Sequence, residues 1–206
     1  PADADVVVCQ RILADRAAKS APQAQLVTLD NFLADPHLDA LYNALTSTAP
    51  VLDAKAEAAA KEQIEWGLHQ ADIIKISNEE VDFLWGLSPQ ESAQKLLTEY
   101  GASLVYVTLG PKGCYFANRN CTGEIASPAE IHVVDTTGAG DIFGGSAMSR
   151  FLKLNKAPAD LTKKELTAIT TFACCAASLS TQKHGGITSV VPEAEVRERI
   201  ARMVQA

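Results

Sequence analysis

The stretch that most constrains this chain is "VVDTTGAGDIFGG", residues 133–145. Two valines lead into an aspartate, two threonines, Gly-Ala-Gly, a second aspartate and then apolar residues. The pattern reads as a strand end, a glycine-rich turn and the first turn of a helix, a junction typical of α/β folds. The first N–H groups of a helix lack intrahelical acceptors and carry the positive end of its dipole, so such a turn holds an anion without any lysine. Glycines add positive φ and close backbone approach. Gly138, Ala139, Gly140 and the N–H of Asp141 are therefore candidate donors to a phosphate. Asp141 fits less easily, because a carboxylate repels a phosphate. On the residues alone it is either a helix-capping aspartate or a general base. As a base it would take a proton from a substrate hydroxyl while the turn stabilises charge on a transferring phosphoryl group.

From residue 57 onward helices and strands alternate. "AEAAAKEQIEWGLHQA" reads as a helix with Ile64, Trp66 and Leu68 among its apolar residues, "DIIKIS" as a buried strand, and "NEEVDFLWG" as a helix ending at Gly86. "SPQESAQKLLTEYG" opens with Ser88 as N-cap, Pro89 in the first turn and Glu91 three residues after the cap. "SLVYVTLG" is a buried strand, "GPKG" a tight turn into "CYFAN", and "IHVV" a further strand. Helices are predicted over about 139–154, 162–182 (with Thr162 and Glu165 at capping-box spacing) and 192–205. This alternation predicts an α/β domain with a largely parallel sheet, whose ligands sit beyond the carboxyl ends of the strands. Residues 110–113 and 135–141 both fall at such ends. Gly144 and Gly145 read as small residues that allow close helix packing. The Walker pattern is absent, and a Rossmann fingerprint would need glycine where Phe143 stands.

Residues 1–56 are unlike the rest. They hold none of the 12 glycines and none of the 13 glutamates, and they are rich in Ala, Asp and Leu. "DNFLADPHLDALYNALTST" has Leu33, Leu38, Leu41 and Leu45 at helical spacings, and "QLVTL" suits a short strand, but no turn chemistry joins them into a sheet. The expectation is a mainly helical segment over 1–56 and a separate domain over 57–206. The net charge of −7 argues against nucleic acid as partner. No apolar run approaches the ~20 residues needed to cross a bilayer, and no basic-then-apolar leader is visible. The five cysteines (Cys9, Cys114, Cys121, Cys174, Cys175) form no C-x-x-C pair, which suits reduced thiols and a cytoplasmic location. The four histidines have no metal-ligand spacing.

"DTTGAGD" before an apolar helix resembles the second signature of the ribokinase/PfkB carbohydrate kinases. "KISNEE" and "VTLGPKG" stand upstream in the family's order. The wording of "KEQIEWGLHQADIIKISNEEVDFLWG" and "DIFGGSAMSRF" is most similar to the bacterial fructokinase branch, and the resemblance covers about residues 57–206. It implies a ribokinase-like three-layer α/β/α core with a small lid, and transfer of the γ-phosphate of ATP to a sugar hydroxyl, fructose foremost, with Mg²⁺. By resemblance Asp141 is the base, and Gly138, Ala139 and Gly140 form the anion hole. Glu80 is the acid of the N-x-x-E motif that positions Mg²⁺, with Ser77 in the place of the Asn. Thr108, Gly110 and Gly113 border the nucleotide. Asp135 and Thr137 are ligands of a monovalent cation such as K⁺. Gly185 and Gly186 in "HGGITS" belong to the late loop near the adenine and that cation. The family's early sugar-binding motifs, its lid strands and a D-P-N-x-R-like segment are not recognisable in this chain, and the 1–56 segment reads as foreign, rearranged or frame-shifted. Two readings follow: a sugar kinase, or a non-catalytic nucleotide-binding or scaffold module without a sugar site. A homodimer is left open, and an exposed apolar face is expected where the missing strands would pack.

Overall fold

Side-chain alternation along two adjacent strands sorts the core into two layers, one on each face of a sheet. A computed structural model of the chain describes residues 6–10, 19, 25–29 and 54–205. The chain divides into two compact units, 1–60 and 61–206. In the first unit, strands β1 (Val6–Gln10) and β2 (Gln25–Leu29) pair in parallel, with Val6 opposite Gln25 and Gln10 opposite Leu29. So "QLVTL" is a strand, and it does sit in a sheet. Parallel neighbours are joined by a crossover rather than a tight turn, so missing turn residues did not forbid the pairing. The helices expected over 30–48 lie outside the described residues.

The other elements run in order: α1 (Ala54–Leu68), β3 (Ile73–Ser77), α2 (Asn78–Trp85), α3 (Pro89–Thr98), β4 (Leu104–Thr108), β5 (Cys114–Asn118), β6 (Thr122–Ile125), α4 (Ala139–Leu152), α5 (Lys163–Ser180) and α6 (Glu193–Gln205). The four-stranded sheet has the order β3-β4-β5-β6. It is mixed: β3 and β4 are parallel, as a helical crossover requires, while β4-β5 and β5-β6 are antiparallel. On one face Leu104, Tyr106, Cys114 and Phe116 pack with Phe143 and Ala147 of α4 and Leu166, Ile169 and Ala173 of α5. On the other, Ile74, Ile76, Val105 and Val107 pack with Val81 and Leu84 of α2 and Ala93 and Leu96 of α3. Helices therefore cover both faces, giving three layers. Leu96, Leu104, Phe116, Leu161 and Leu166 have no exposed surface; each such side chain contributes about 2–3 kcal/mol relative to remaining in water.

Local chemistry sets the helix limits. Ser88 and Glu91 form a capping box on α3, and Thr162 and Glu165 form one on α5. Gly86 ends α2 in the left-handed conformation at φ 63, its N–H donating to the carbonyls of Val81 and Asp82. Cys114, Cys174 and Cys175 are buried, and burial holds their thiols protonated by raising their pKa, to about 12 for Cys174 and about 11 for Cys175. Trp66 and Ile64 of α1 are exposed rather than packed. No helix among the described residues is long and apolar enough to cross a membrane.

One expected strand is absent. "IHVV" is not in a sheet, and Val133 and Val134 are exposed. The N–H groups of Val134 and Asp135 both donate to the Thr181 carbonyl, at 2.7 and 3.0 Å. The β-branched run has the propensity for a strand but no ladder partner, so the C-terminal end of α5 holds it instead.

Candidate active site

The parallel register places Ser77 opposite Thr108, so the carboxyl ends of β3 and β4 lie side by side. Ser77 caps α2: its hydroxyl accepts from the Glu80 N–H at 3.2 Å, and a Glu80 carboxylate oxygen accepts from the Ser77 N–H at 2.7 Å. The spacing expected to serve a metal therefore also builds a complete capping box, and one carboxylate oxygen is engaged in it. Thr108 turns its hydroxyl to the Ile76 carbonyl at 3.4 Å. A short 3₁₀ turn, Gly110–Lys112, follows β4. Gly110 has φ 56 and open space at its Cβ position. Gly113 is a different case: a Cβ there would lie 1.9 Å from the Ile125 carbonyl oxygen, at φ 112. Its glycine is required by the close approach of β5 to the end of β6.

The second cluster gathers around α4. Gly138 is the N-cap, at φ 76 and ψ 0. A Cβ on it would lie 2.7 Å from the Gly186 Cα, so the turn and the 184–189 loop meet backbone to backbone, glycine on glycine. Asp135 locks this contact. One of its oxygens accepts from the Thr137 N–H at 2.9 Å and the other from the Gly185 N–H at 2.8 Å. These bonds, first the one from Gly185 and then those from Thr137, hold the Asp135 pKa down to about 2. His184 lies 3.9 Å from the same carboxylate and is largely exposed.

The helix opening has a definite donor inventory. The Ala139 N–H donates to the Thr136 carbonyl at 3.1 Å, and the Ile142 N–H begins the helical ladder on the Gly138 carbonyl at 2.9 Å. Ala139 is thus committed inside the turn. Among the described residues the N–H groups of Gly138, Gly140 and Asp141 have no protein acceptor. The Asp141 carboxylate, exposed in the first turn, has no ion pair and no hydrogen bond among those residues either. It opens on a cavity of about 400 Å³ shared with Ile142, Gly145, Gly186 and Ile187. Gly144 and Gly145, expected to allow tight helix packing, do not: a Cβ on either meets no atom within 4 Å among the described residues.

Two features escaped the sequence reading. Lys75 interrupts the apolar strand "DIIKIS", and its ammonium lies 3.2 Å from the position a Cβ on Gly140 would take. Thr181 supplies the carbonyl that holds the approach to the turn. The charged residue inside an apolar run was a legible signal for the first; a backbone carbonyl leaves none. Unpaired amides at a positive helix end suit a phosphate. No cluster of three or more His, Cys, Asp or Glu among the described residues could hold a metal ion. A divalent ion beside Glu80 would therefore depend mainly on phosphate oxygens and water.

The model of the pfkB family carbohydrate kinases matches residues 12–194. Fructokinase-1 of Zea mays is 37% identical over 134 residues, 65% of this chain and 41% of the maize protein. Fructokinase-2 of Solanum habrochaites is 33% identical over 138 residues, 66% of this chain and 41% of its own length. The chain thus spans about two fifths of the length of these curated relatives. Fructokinase with bound ATP from Xylella fastidiosa superposes with a TM-score of 0.62 at 24% identity, covering 70% of this chain and 47% of that one. A fructokinase double mutant from Vibrio cholerae O395, in its fructose-, ADP- and potassium-bound form, gives 0.58 at 27% identity, with 67% and 43% covered. The strand and helix order, the glycine contact at the head of α4 and the match over most of the sequence agree: the chain belongs to the pfkB family of carbohydrate kinases.

Proposed function

We propose that this chain forms the nucleotide side of an ATP-dependent sugar kinase, with fructose as acceptor and Asp141 as general base. The observation that carries the reading is an uncommitted Asp141 carboxylate beside three amides, of Gly138, Gly140 and Asp141, that have no protein acceptor. Asp141 takes the proton from the sugar hydroxyl, and the amides stabilise negative charge on the transferring group. Thr108 and Gly110 border the nucleotide from the end of β4, and Gly113 shapes that turn. Glu80, with one oxygen outside the capping box, would help hold Mg²⁺ through water, and Asp135 and Thr137 would be ligands of K⁺. ATP with Mg²⁺ supplies the phosphoryl group and screens its charge. The fructokinase relatives support the choice of sugar.

A coupled assay of ADP release with fructose and ATP tests the reading, beside calorimetric titration of Mg-nucleotide. Turnover that falls about 10²- to 10⁴-fold in Asp141→Asn is the expected result. Nucleotide binding without any ADP release would make the chain a binding module instead. Absence of binding would overturn the nucleotide reading itself.

A further inference from the structure

We infer that the cavity between α4, α5 and α6, at the end of α4 away from Asp141, is a second ligand site, and that it takes a phosphomonoester carried on an apolar body. The inference does not depend on the nucleotide reading above. Spacing on α5 builds one wall: Glu165, Ala168, Ile169 and Phe172 stand at i, i+3, i+4 and i+7, on one face of the helix. Arg150, Lys153 and Leu154 at the end of α4, with Arg197 and Ile200 of α6, line the other sides. The space is about 460 Å³, inside the range of about 300–1,000 Å³ usual for small-molecule sites. Arg150 stands nine residues after Asp141 on the same helix, a distance of about 14 Å at ~1.5 Å per residue. The cavity is therefore separate from the anion site at the head of α4.

Leu154, Ala168, Ile169, Phe172 and Ile200 make the lining largely apolar, which suits a ring or hydrocarbon rather than a free sugar. The charged part of the lining is one-sided. Three cations converge on the single carboxylate of Glu193: Arg150 through Nη2, Arg197 through Nη2 at 2.7 Å and Nε at 2.8 Å, and Lys153 at 3.9 Å. Glu165, the acidic residue of the lining, is taken up by Lys156 at 2.6 Å and by the capping box of α5. Two carboxylates thus face four cations, on a chain whose net charge is −7. The Arg150 guanidinium lies 3.9 Å from the centroid of the Phe172 ring, and its buried Nε has no hydrogen-bond partner among the described residues. Complementing the helix dipole explains a cation at the end of α4. It does not explain three cations from two helices gathered on one carboxylate.

The excess of positive charge says which head group fits. A phosphomonoester carries about −1.5 to −2 at neutral pH and so matches an excess of about two, whereas a carboxylate offsets only half of it. Two guanidinium groups and an ammonium are also the donors that suit phosphate oxygens.

NMR titration of the chain with 1-naphthyl phosphate, inorganic phosphate and 1-naphthol tests the assignment. 1-Naphthyl phosphate should shift the amides of 150–154, 165–172 and 197–200, and bind about tenfold or more tighter than either part alone. The double variant Lys153→Gln, Arg197→Gln should lose about fivefold or more in affinity, and what remains should depend less on salt. Both side chains are largely exposed, and Lys153→Gln alone serves if the double variant does not fold. Ala168→Phe, which fills the cavity from an exposed position, should remove binding. Equal affinity for 1-naphthol, or for inorganic phosphate, would overturn the proposal. Shifts confined to 138–141 would put the ligand at the head of α4 and overturn it as well, as would no binding at all.

Discussion

The glycine turns at 110–113 and 138–141 use the same residue type differently. In the 110–113 turn the N–H groups of Leu109, Lys112 and Gly113 all donate to carbonyls within the turn. Gly113 is glycine because the Ile125 carbonyl leaves no room for a Cβ. Those three bonds are spent within the turn, and only the Gly110 N–H has no protein acceptor among the described residues. In the 138–141 turn Gly138 likewise makes a close backbone contact, with Gly186, but three N–H groups are left without a protein acceptor. Glycine content alone therefore does not mark a binding turn. What marks it is backbone left unsatisfied by neighbours that are otherwise fully ordered.

The sharpest way to break this contrast is Gly113→Ala. A Cβ 1.9 Å from a backbone oxygen at φ 112 should cost at least about 3 kcal/mol, read from the urea midpoint. A loss under ~0.5 kcal/mol would mean that the Ile125 carbonyl does not confine Gly113 as described. Gly138→Ala should cost about 2–3 kcal/mol, since the contact is looser at 2.7 Å, and it should also abolish nucleotide binding in titration. Equal behaviour of the two variants in binding would erase the distinction between the turns.

Acid should separate the turns in a third way. The Asp135 pKa is lowered to about 2 from 3.8, so the stabilisation it provides is complete above about 3.8 and is lost as pH falls through about 2. Between those values hydrogen exchange should quicken at the Thr137 and Gly185 amides and stay slow at Leu109 and Gly113, whose partners are backbone carbonyls. Parallel loss at all four sites would count against the Asp135 lock. The smallest effect expected is a gain: Gly144→Ala should raise stability by about 0.5–1 kcal/mol, because a Cβ there meets nothing and alanine is the better helix former. Destabilisation would restore the tight-packing role expected from the sequence.

Much of the second unit, 61–206, was legible in the residues. Capping boxes, the left-handed Gly86 cap and the apolar strands are local signals; the six helices and strands β3, β4 and β5 formed within a few residues of their expected limits, while β6 (Thr122–Ile125) had no expected counterpart. The 131–134 run failed because a strand is a relation between two segments, and propensity says nothing about whether a partner exists. The Ser77–Glu80 pair was legible only as a possible metal motif, although the same three-residue spacing also builds a helix cap.

By itself the sequence determined which residues could bind an anion, because helix starts and glycine turns are written in short local patterns. Only the tertiary structure decided which of them are available. Whether the Ala139 amide is spent on Thr136, whether Asp135 reaches across fifty residues to Gly185, and whether Lys75 arrives at Gly140 all depend on contacts between segments far apart in the chain. Satisfaction of a donor is a property of its neighbours in space, and no local pattern specifies those neighbours.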